Sequence, residues 1–387
     1  MRHIYKVRPA INMWFLQINR KYLKQFDWYM LSLLLAISII GVMTIYSATR
    51  PVITTVQPNY YIKQMVWMLL GLAALLAAAI YDYSWLRNSA YLLYSMGLVM
   101  LVLVLFAGRR GMGAQRWLEL GPVSFQPSEL FRILLIIGIS KYLSTIKGAL
   151  TKWPFFISLM LFGLLPFVLI LKQPHLGTGL VLLSTFFFLV IAKKIEKKIL
   201  VTLIVVTLVV PTVAGKLVWR HLKDYQKNRI VAFIEPEADP KGIGYQIEQS
   251  KIAIGSGQVL GRGYLKGTQG PLRFLPEKHT DFIYCVFAEE WGFVGSAAIV
   301  ALYLLLFLRG ISTALKSKDE FGRYLALGLT FMLFLYFFIN MGMVLGMMPV
   351  VGVPIPFMSY GGTTLVTNYI AIGILINIRM RRLALCY

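Results

Sequence analysis

The sequence predicts an all-α integral membrane protein of ten transmembrane helices. Three observations carry this. Of 387 residues, 58% are hydrophobic and only 14% charged, against about 45–50% and about 25% in ordinary soluble domains. Apolar runs of ~17–25 residues, the span of a bilayer core in helical form, recur from one end to the other. Mean hydropathy is +0.69. A soluble enzyme, a disordered chain and a coiled coil are excluded.

The first span is read at 28–47, after a polar lead and with no cleavable signal peptide. It is long enough to remain as an anchor. The others are read at 64–81, 88–107, 126–143, 154–171, 176–192, 199–216, 282–308, 324–345 and 362–379. Each must be helical, because hydrocarbon offers no partner to an unpaired amide. No linker or internal repeat divides the chain, so one domain over 1–387 is expected.

Basic residues orient the bundle. With the N-terminus inside, the inner segments carry 21 Lys and Arg and the short outer ones carry 6. The positive-inside rule then gives N-in and C-in. The formal charge of +23 fits anionic headgroups and topology rather than nucleic acid, since the cations lie between spans. Cys285 and Cys386 fall at opposite faces and give no disulfide framework.

The large extracytoplasmic loop, about 217–281 between helices 7 and 8, is too long to be structureless. Lys223–Ile234 and Tyr245–Ile254 read as short amphipathic helices lying on the membrane surface. The loop ends in Phe274-Leu-Pro-Glu-Lys-His-Thr-Asp-Phe-Ile283. There Asp281 is either an N-cap carboxylate or a general base at membrane depth. Glu277 and His279 are placed to tune it, or are solvated loop residues.

The fourth span opens Phe125-Gln-Pro-Ser-Glu-Leu-Phe-Arg132. Glu129 and Arg132, at i and i+3, share a face and can pair. Buried charges of this kind mark either a structural ion pair or a substrate path. Glu289 and Glu290 in the eighth span pose the same alternatives, and at least one should face the interior. Arg109, Arg110, Arg116 and Trp117 crowd an outer loop, either as interfacial anchors or as a diphosphate and sugar site, which arginine's planar fork suits. Lys172, Gln173 and the Pro354–Gly362 stretch with Ser359 lie at the same face. Broken backbone near membrane depth is tolerated where it lines a cavity, so one outward-facing pocket is expected. No phosphate-binding Gly-x-x-x-x-Gly-Lys-Ser/Thr loop is present, which leaves no sign of an ATPase.

These segments resemble the SEDS family (shape, elongation, division and sporulation), its elongation branch more than its division branch. The matching pieces include Ala114-Gln-Arg-Trp-Leu118, Gln126-Pro-Ser-Glu-Leu130, Gln249 to Gly257, Phe274 to Phe282, Ala288-Glu-Glu-Trp-Gly292 and Pro354 to Gly362. They follow the family's order along essentially the whole chain. His175 departs from the aspartate usual in the family's Gln-Pro-Asp-Leu-Gly-Thr.

The resemblance implies a peptidoglycan glycosyltransferase that polymerises lipid II at the outer face of the bacterial cytoplasmic membrane. Its implied partners are lipid II, the nascent lipid-linked glycan, membrane lipids and a class B penicillin-binding protein. It maps the family's essential loop aspartate onto Asp281, its cavity acid and base onto Glu129 and Arg132, and its loop tryptophan onto Trp117. It also implies a divalent cation, Mg²⁺ or Mn²⁺. The alternatives are a flippase for the same precursor, a non-catalytic scaffold for the partner enzyme and a septal polymerase.

Overall fold

A computed structural model describes residues 25–50, 59–111, 114–120, 123–173, 175–202, 205, 219–220, 224–235, 242–268 and 279–383. The chain is mostly helical. Its long helices are α1 (Trp28–Thr49), α2 (Tyr60–Ile80), α4 (Ala90–Ala107), α5 (Pro127–Thr145), α6 (Lys152–Lys172), α7 (Leu176–Ala192), α10 (Ile283–Leu315), α11 (Glu320–Val344) and α12 (Gly362–Met380). Short α3 (Tyr83–Asn88) precedes α4, while α8 (Asp224–Ile234) and α9 (Ile243–Ser256) belong to the large loop.

Seven of these helices are long and apolar enough to cross a membrane. Of the remaining long helices, α7 is apolar but shorter, and α5 carries Glu129, Arg132 and Lys141 within its length. The expected seventh span lies almost wholly outside the described residues. The two amphipathic loop helices form close to their expected bounds, as α8 and α9.

The loop between α4 and α5 departs from the all-helical expectation. Residues 109–125 contain an antiparallel ribbon, β1 (Arg109–Gly111), β2 (Ala114–Leu120) and β3 (Val123–Phe125), in the order β1-β2-β3. Trp117 stands opposite Arg109, and Leu118 opposite Phe125. Pairing satisfies the amides that a bare loop at the interface would leave to water.

Local chemistry shapes two of the helices. In α6, residues Leu159–Leu164 widen into a π turn just before Pro166. Proline has no N–H for the ladder, and the Tyr94 hydroxyl donates to the Leu161 carbonyl (2.5 Å). In α10 the ladder breaks at Gly292, whose φ of 62° and ψ of −159° suit glycine alone. A Cβ there would come 2.3 Å from the Gly261 amide nitrogen, so the break is also where the loop after α9 presses onto the helix.

Ion pairs define the two ends of the bundle. Asp27, at the start of α1, accepts from Arg309 (2.8 and 3.0 Å) and pairs with Arg379 (2.9 Å). Lys193–Glu320 and Arg381–Asp82 (2.9 and 2.8 Å) gather at the same end. At the opposite end, Ser47 donates to Glu290, and the Arg50 guanidinium donates to the Leu265 carbonyl. The start of α1, the late part of α10, the start of α11 and the end of α12 therefore share one face.

Candidate functional site

Asp281 sits in a turn, residues 279–282, immediately before α10. The N-cap position of α10 belongs to Phe282, whose side chain makes no capping bond. Three consecutive carbonyls of the turn are tethered. The Tyr360 amide donates to His279 O (2.9 Å), the Ser359 hydroxyl to Thr280 O (2.7 Å) and Asn340 Nδ2 to Asp281 O (2.9 Å).

The segment that supplies these ties is itself pinned. Ser359 Oγ accepts from the Ile355 amide (2.9 Å), Asn340 Nδ2 also donates to Val353 O (2.7 Å), and Gln64 Nε2 donates to Ser359 O (3.1 Å). The His279 ring stacks on Tyr60, with centroids 4.4 Å apart, and lies 5.8 Å from the Tyr360 ring. The backbone is fixed and the Asp281 carboxylate is half-buried. Its Oδ2 lies 3.4 Å from where a Cβ at Gly352 would stand. Gly352 has φ +71°, so the bare backbone both makes the turn and leaves room beside the acid.

A second cluster is buried among α5, α7, α11 and α12. Arg132 and Glu129, 0% and 3% exposed, pair at 2.5 Å, and Arg132 Nε donates to the Glu129 carbonyl (3.1 Å). The guanidinium carbon lies 4.2 Å from the centre of the Tyr336 ring, and Nη2 is 3.5 Å from Asn368 Oδ1. On the ribbon, Arg116 Nε donates to the Gln173 carbonyl (3.2 Å), while Gln173 Nε2 donates to Leu101 O (2.9 Å).

His175 follows Gln173 and occupies the N-cap position of α7. Burial pushes its imidazole down to about 3, and the charges of Arg116, Arg132 and Arg229 push the same way. It is therefore a neutral ring at physiological pH. The sign for stability follows. The unfolded imidazole, near 6.5, takes up a proton before the folded one does. Stability is full above pH 6.5 and is lost as pH falls toward 3. His175→Asn should flatten that limb by up to one proton, about 1.4 kcal/mol per pH unit, in thermal unfolding of the detergent-solubilised protein between pH 4 and 7.

Both glutamates of α10 are buried. Glu289 Oε1 accepts from the Thr268 amide and hydroxyl (2.7 and 2.8 Å), and Glu290 Oε1 from the Leu265 amide (3.2 Å) and Ser47. They clasp the loop 262–268 against the helix break rather than line the Arg132 cluster.

The structure thus separates the residues singled out from sequence. Asp281 and His279 share one turn, Glu129 and Arg132 share the buried cluster with His175 near it, and Arg116 is half-buried on β2. Gln173 and Ser359 tie backbone segments together. Lys172 is exposed at the end of α6, and Trp117 is half-buried on β2. Glu277 and Cys386 lie outside the described residues, and of Arg109 only the backbone is described. Cys285 is a buried free thiol. Asn340, Tyr336, Asn368 and Gly352 were not singled out. A polar residue inside an apolar span was the signal for the first three.

The described residues bring together no three of His, Cys, Asp or Glu in metal-binding range, and the deep cluster is cationic. They do not fit a protein-built centre for the cation that the resemblance implies.

Fold and site define a multi-pass membrane protein that holds an acid at one end of its bundle and a buried Glu129–Arg132 pair within it. Residues 25–383 match the FtsW/RodA/SpoVE family, described as cell cycle protein. The peptidoglycan glycosyltransferase MrdB of Escherichia coli K12 is 39% identical over 358 residues, covering 92% of this chain and 94% of that one. A solved chain from a peptidoglycan synthase complex, described as coordinating polymerization and crosslinking, superposes with TM-score 0.78 at 31% identity, covering 92% and 98%. The Thermus thermophilus rod shape determining protein RodA gives TM-score 0.68 at 29% identity, with the same coverage. The chain belongs to this family, the SEDS family that its motifs resemble, and is a peptidoglycan glycosyltransferase.

Proposed function

We propose that this chain polymerises lipid II into glycan strands at the outer face of the bacterial cytoplasmic membrane during elongation, with Asp281 as general base. The observation that carries this is the Asp281 turn. Its three carbonyls are tied down while its carboxylate stands beside a glycine, so the fold spends its hydrogen bonds on placing the acid. In the reaction, the 4-hydroxyl oxygen of an acceptor sugar bonds to the anomeric carbon of the donor. The bond from that carbon to the lipid diphosphate breaks, the diphosphate leaves with the electron pair, and the hydroxyl proton passes to Asp281.

A glycosidase needs two carboxyl groups, one of which protonates a poor leaving group. A diphosphate leaves without that help, so one base suffices. A carboxylate is too weak to make free alkoxide, and proton transfer is concerted with attack. Direct displacement inverts the anomeric centre. Positive charge from Arg132 and Arg116 is aimed where negative charge grows, and no step is routed through a metal ion.

The ten-helix, N-in/C-in arrangement is part of the same reading. The Asp27–Arg309–Arg379 cluster supports it by joining ends that the positive-inside rule assigns to the cytoplasm. The seventh helix would begin at residues 197–202, which are helical. The chain acts as one domain, and a class B penicillin-binding protein would supply crosslinking, as the synthase complex relative suggests.

The test is the purified full-length protein in liposomes with labelled lipid II, scored separately for polymer and for movement of precursor across the bilayer. Polymer with a 1,4 linkage and inverted configuration is expected. Movement without polymer would overturn the reading in favour of a transporter.

A further inference from the structure

The end of the bundle away from Asp281 carries a cavity of about 420 Å³, within the range of small-ligand sites, about 300–1,000 Å³. It lies among α3, the last turn of α5 and the start of α11. Its walls hold charges of both signs. Arg87 and Lys141 come from α3 and α5, and Asp319 and Glu320 from the head of α11, while Ser144 and Thr145 add hydroxyls.

These groups are only partly engaged with one another. Arg87 and Asp319 pair at 3.5 Å with side chains 41% and 29% exposed. Glu320 Oε2 accepts from Lys193 (2.9 Å), yet its side chain stays 56% exposed. Lys141 is half-buried and enters no ion pair among the described residues. The Ser144 and Thr145 hydroxyls donate to the Lys141 and Tyr142 carbonyls of their own helix (2.8 and 2.7 Å). Each hydroxyl has one proton to give, so what they offer a ligand is lone pairs.

The cavity therefore presents two cationic donors and a set of acceptors that includes two acids. An anionic ligand would satisfy the first and meet the second as repulsion, and a cationic ligand the reverse. A ligand that carries an anion and a hydrogen-bonding cation side by side fits both. The surroundings say how it is delivered. Trp85 on α3 and Leu92 near the start of α4 are 59% and 65% exposed. Tryptophan collects where membrane meets water, so the cavity stands at headgroup level, with apolar helix beside it for acyl chains.

We propose that this cavity binds the phosphoethanolamine headgroup of a phospholipid. Its phosphate lies on Lys141 and Arg87, and its ammonium donates to Glu320, Asp319 and the two hydroxyls. The N-in/C-in reading above makes this a lipid of the cytoplasmic leaflet. Binding itself depends neither on that reading nor on catalysis.

Delipidated full-length protein in detergent is titrated with phosphatidylethanolamine, phosphatidylcholine or phosphatidylglycerol of identical acyl chains, and retained lipid is counted by native mass spectrometry. Phosphatidylethanolamine should bind about tenfold more tightly than either of the others, the worth of one hydrogen bond to a charged group. The quaternary ammonium of phosphatidylcholine donates none, and phosphatidylglycerol has no cation. Lys141→Gln should weaken phosphatidylethanolamine about tenfold and Lys141→Arg should retain it. Neither change breaks an ion pair, so the thermal transition of the lipid-free protein should stay where it is. Phosphatidylcholine or phosphatidylglycerol binding as tightly as phosphatidylethanolamine would overturn the proposal, as would unchanged binding in Lys141→Gln. Displacement of the lipid by equimolar soluble phosphoethanolamine would make the free headgroup the ligand and overturn the assignment to a phospholipid.

Discussion

Asp281→Asn is expected to slow glycan polymerisation by about 10²- to 10⁴-fold, the range a positioned base contributes, while leaving the fold untouched. The two side chains have the same shape, so the space beside Gly352 is filled as before. The tethers of the turn run to the carbonyls of His279, Thr280 and Asp281, and those survive the change. On the proposed mechanism, what is lost is the ability to take a proton as the sugar oxygen attacks. The measurement is the initial rate of polymer formation from labelled lipid II, with the thermal transition of the same preparation alongside. Asn340→Ala is the informative companion. It frees the carbonyls of Asp281 and Val353, and both rate and thermal transition should fall. If Asp281→Asn polymerises within threefold of wild type, the acid is not the base.

Much of the architecture is written in hydropathy, because a helix in lipid must satisfy its own backbone and cover itself with apolar side chains. The helix at 176–192 falls where the apolar run falls. The helix at 283–315 runs beyond its expected end because Arg309 does not stop it. The long side chain finds Asp27, so a charge that reads as a boundary is a partner.

Periodicity over a 19-residue window does not see the ribbon at 109–125. Its strands are three to seven residues long, and the Gly-Met-Gly and Gly-Pro punctuation was the signal available. The π turn at Leu159–Leu164 keeps the composition of an ordinary span and was invisible to hydropathy.

The site was legible in part for the same reason. Glu129 and Arg132 are three residues apart, so their pairing follows from helix geometry alone. Asp281 stood out as a lone acid where a loop meets a span. Tyr336, Asn340 and Asn368 act across distances of tens to hundreds of residues in sequence, and only packing brings them to Arg132 or Asp281. Ser359 looked like a group facing substrate because it lies in a broken stretch at the outer face. Its hydroxyl is engaged on both sides by backbone, and that also depends on tertiary contact.

The pair at the centre of the bundle separates stability from function. Arg132→Met should destabilise the protein by about 3–5 kcal/mol, because it leaves Glu129 charged and unpaired in a dry interior. Glu129→Gln combined with Arg132→Met removes the stranded charge and should recover most of that loss, since a buried ion pair exchanged for uncharged groups of similar volume is often neutral. Polymerisation should not recover with it. On the proposed mechanism the departing diphosphate loses a buried cation in both variants, and the Tyr336 ring and Asn368 Oδ1 lose the guanidinium they face. Thermal unfolding in detergent reads the first quantity and polymer yield the second. A double variant that regains both would make Arg132 a structural counter-ion alone. One that regains stability while staying inactive places the charged pair, rather than its contribution to packing, in the reaction.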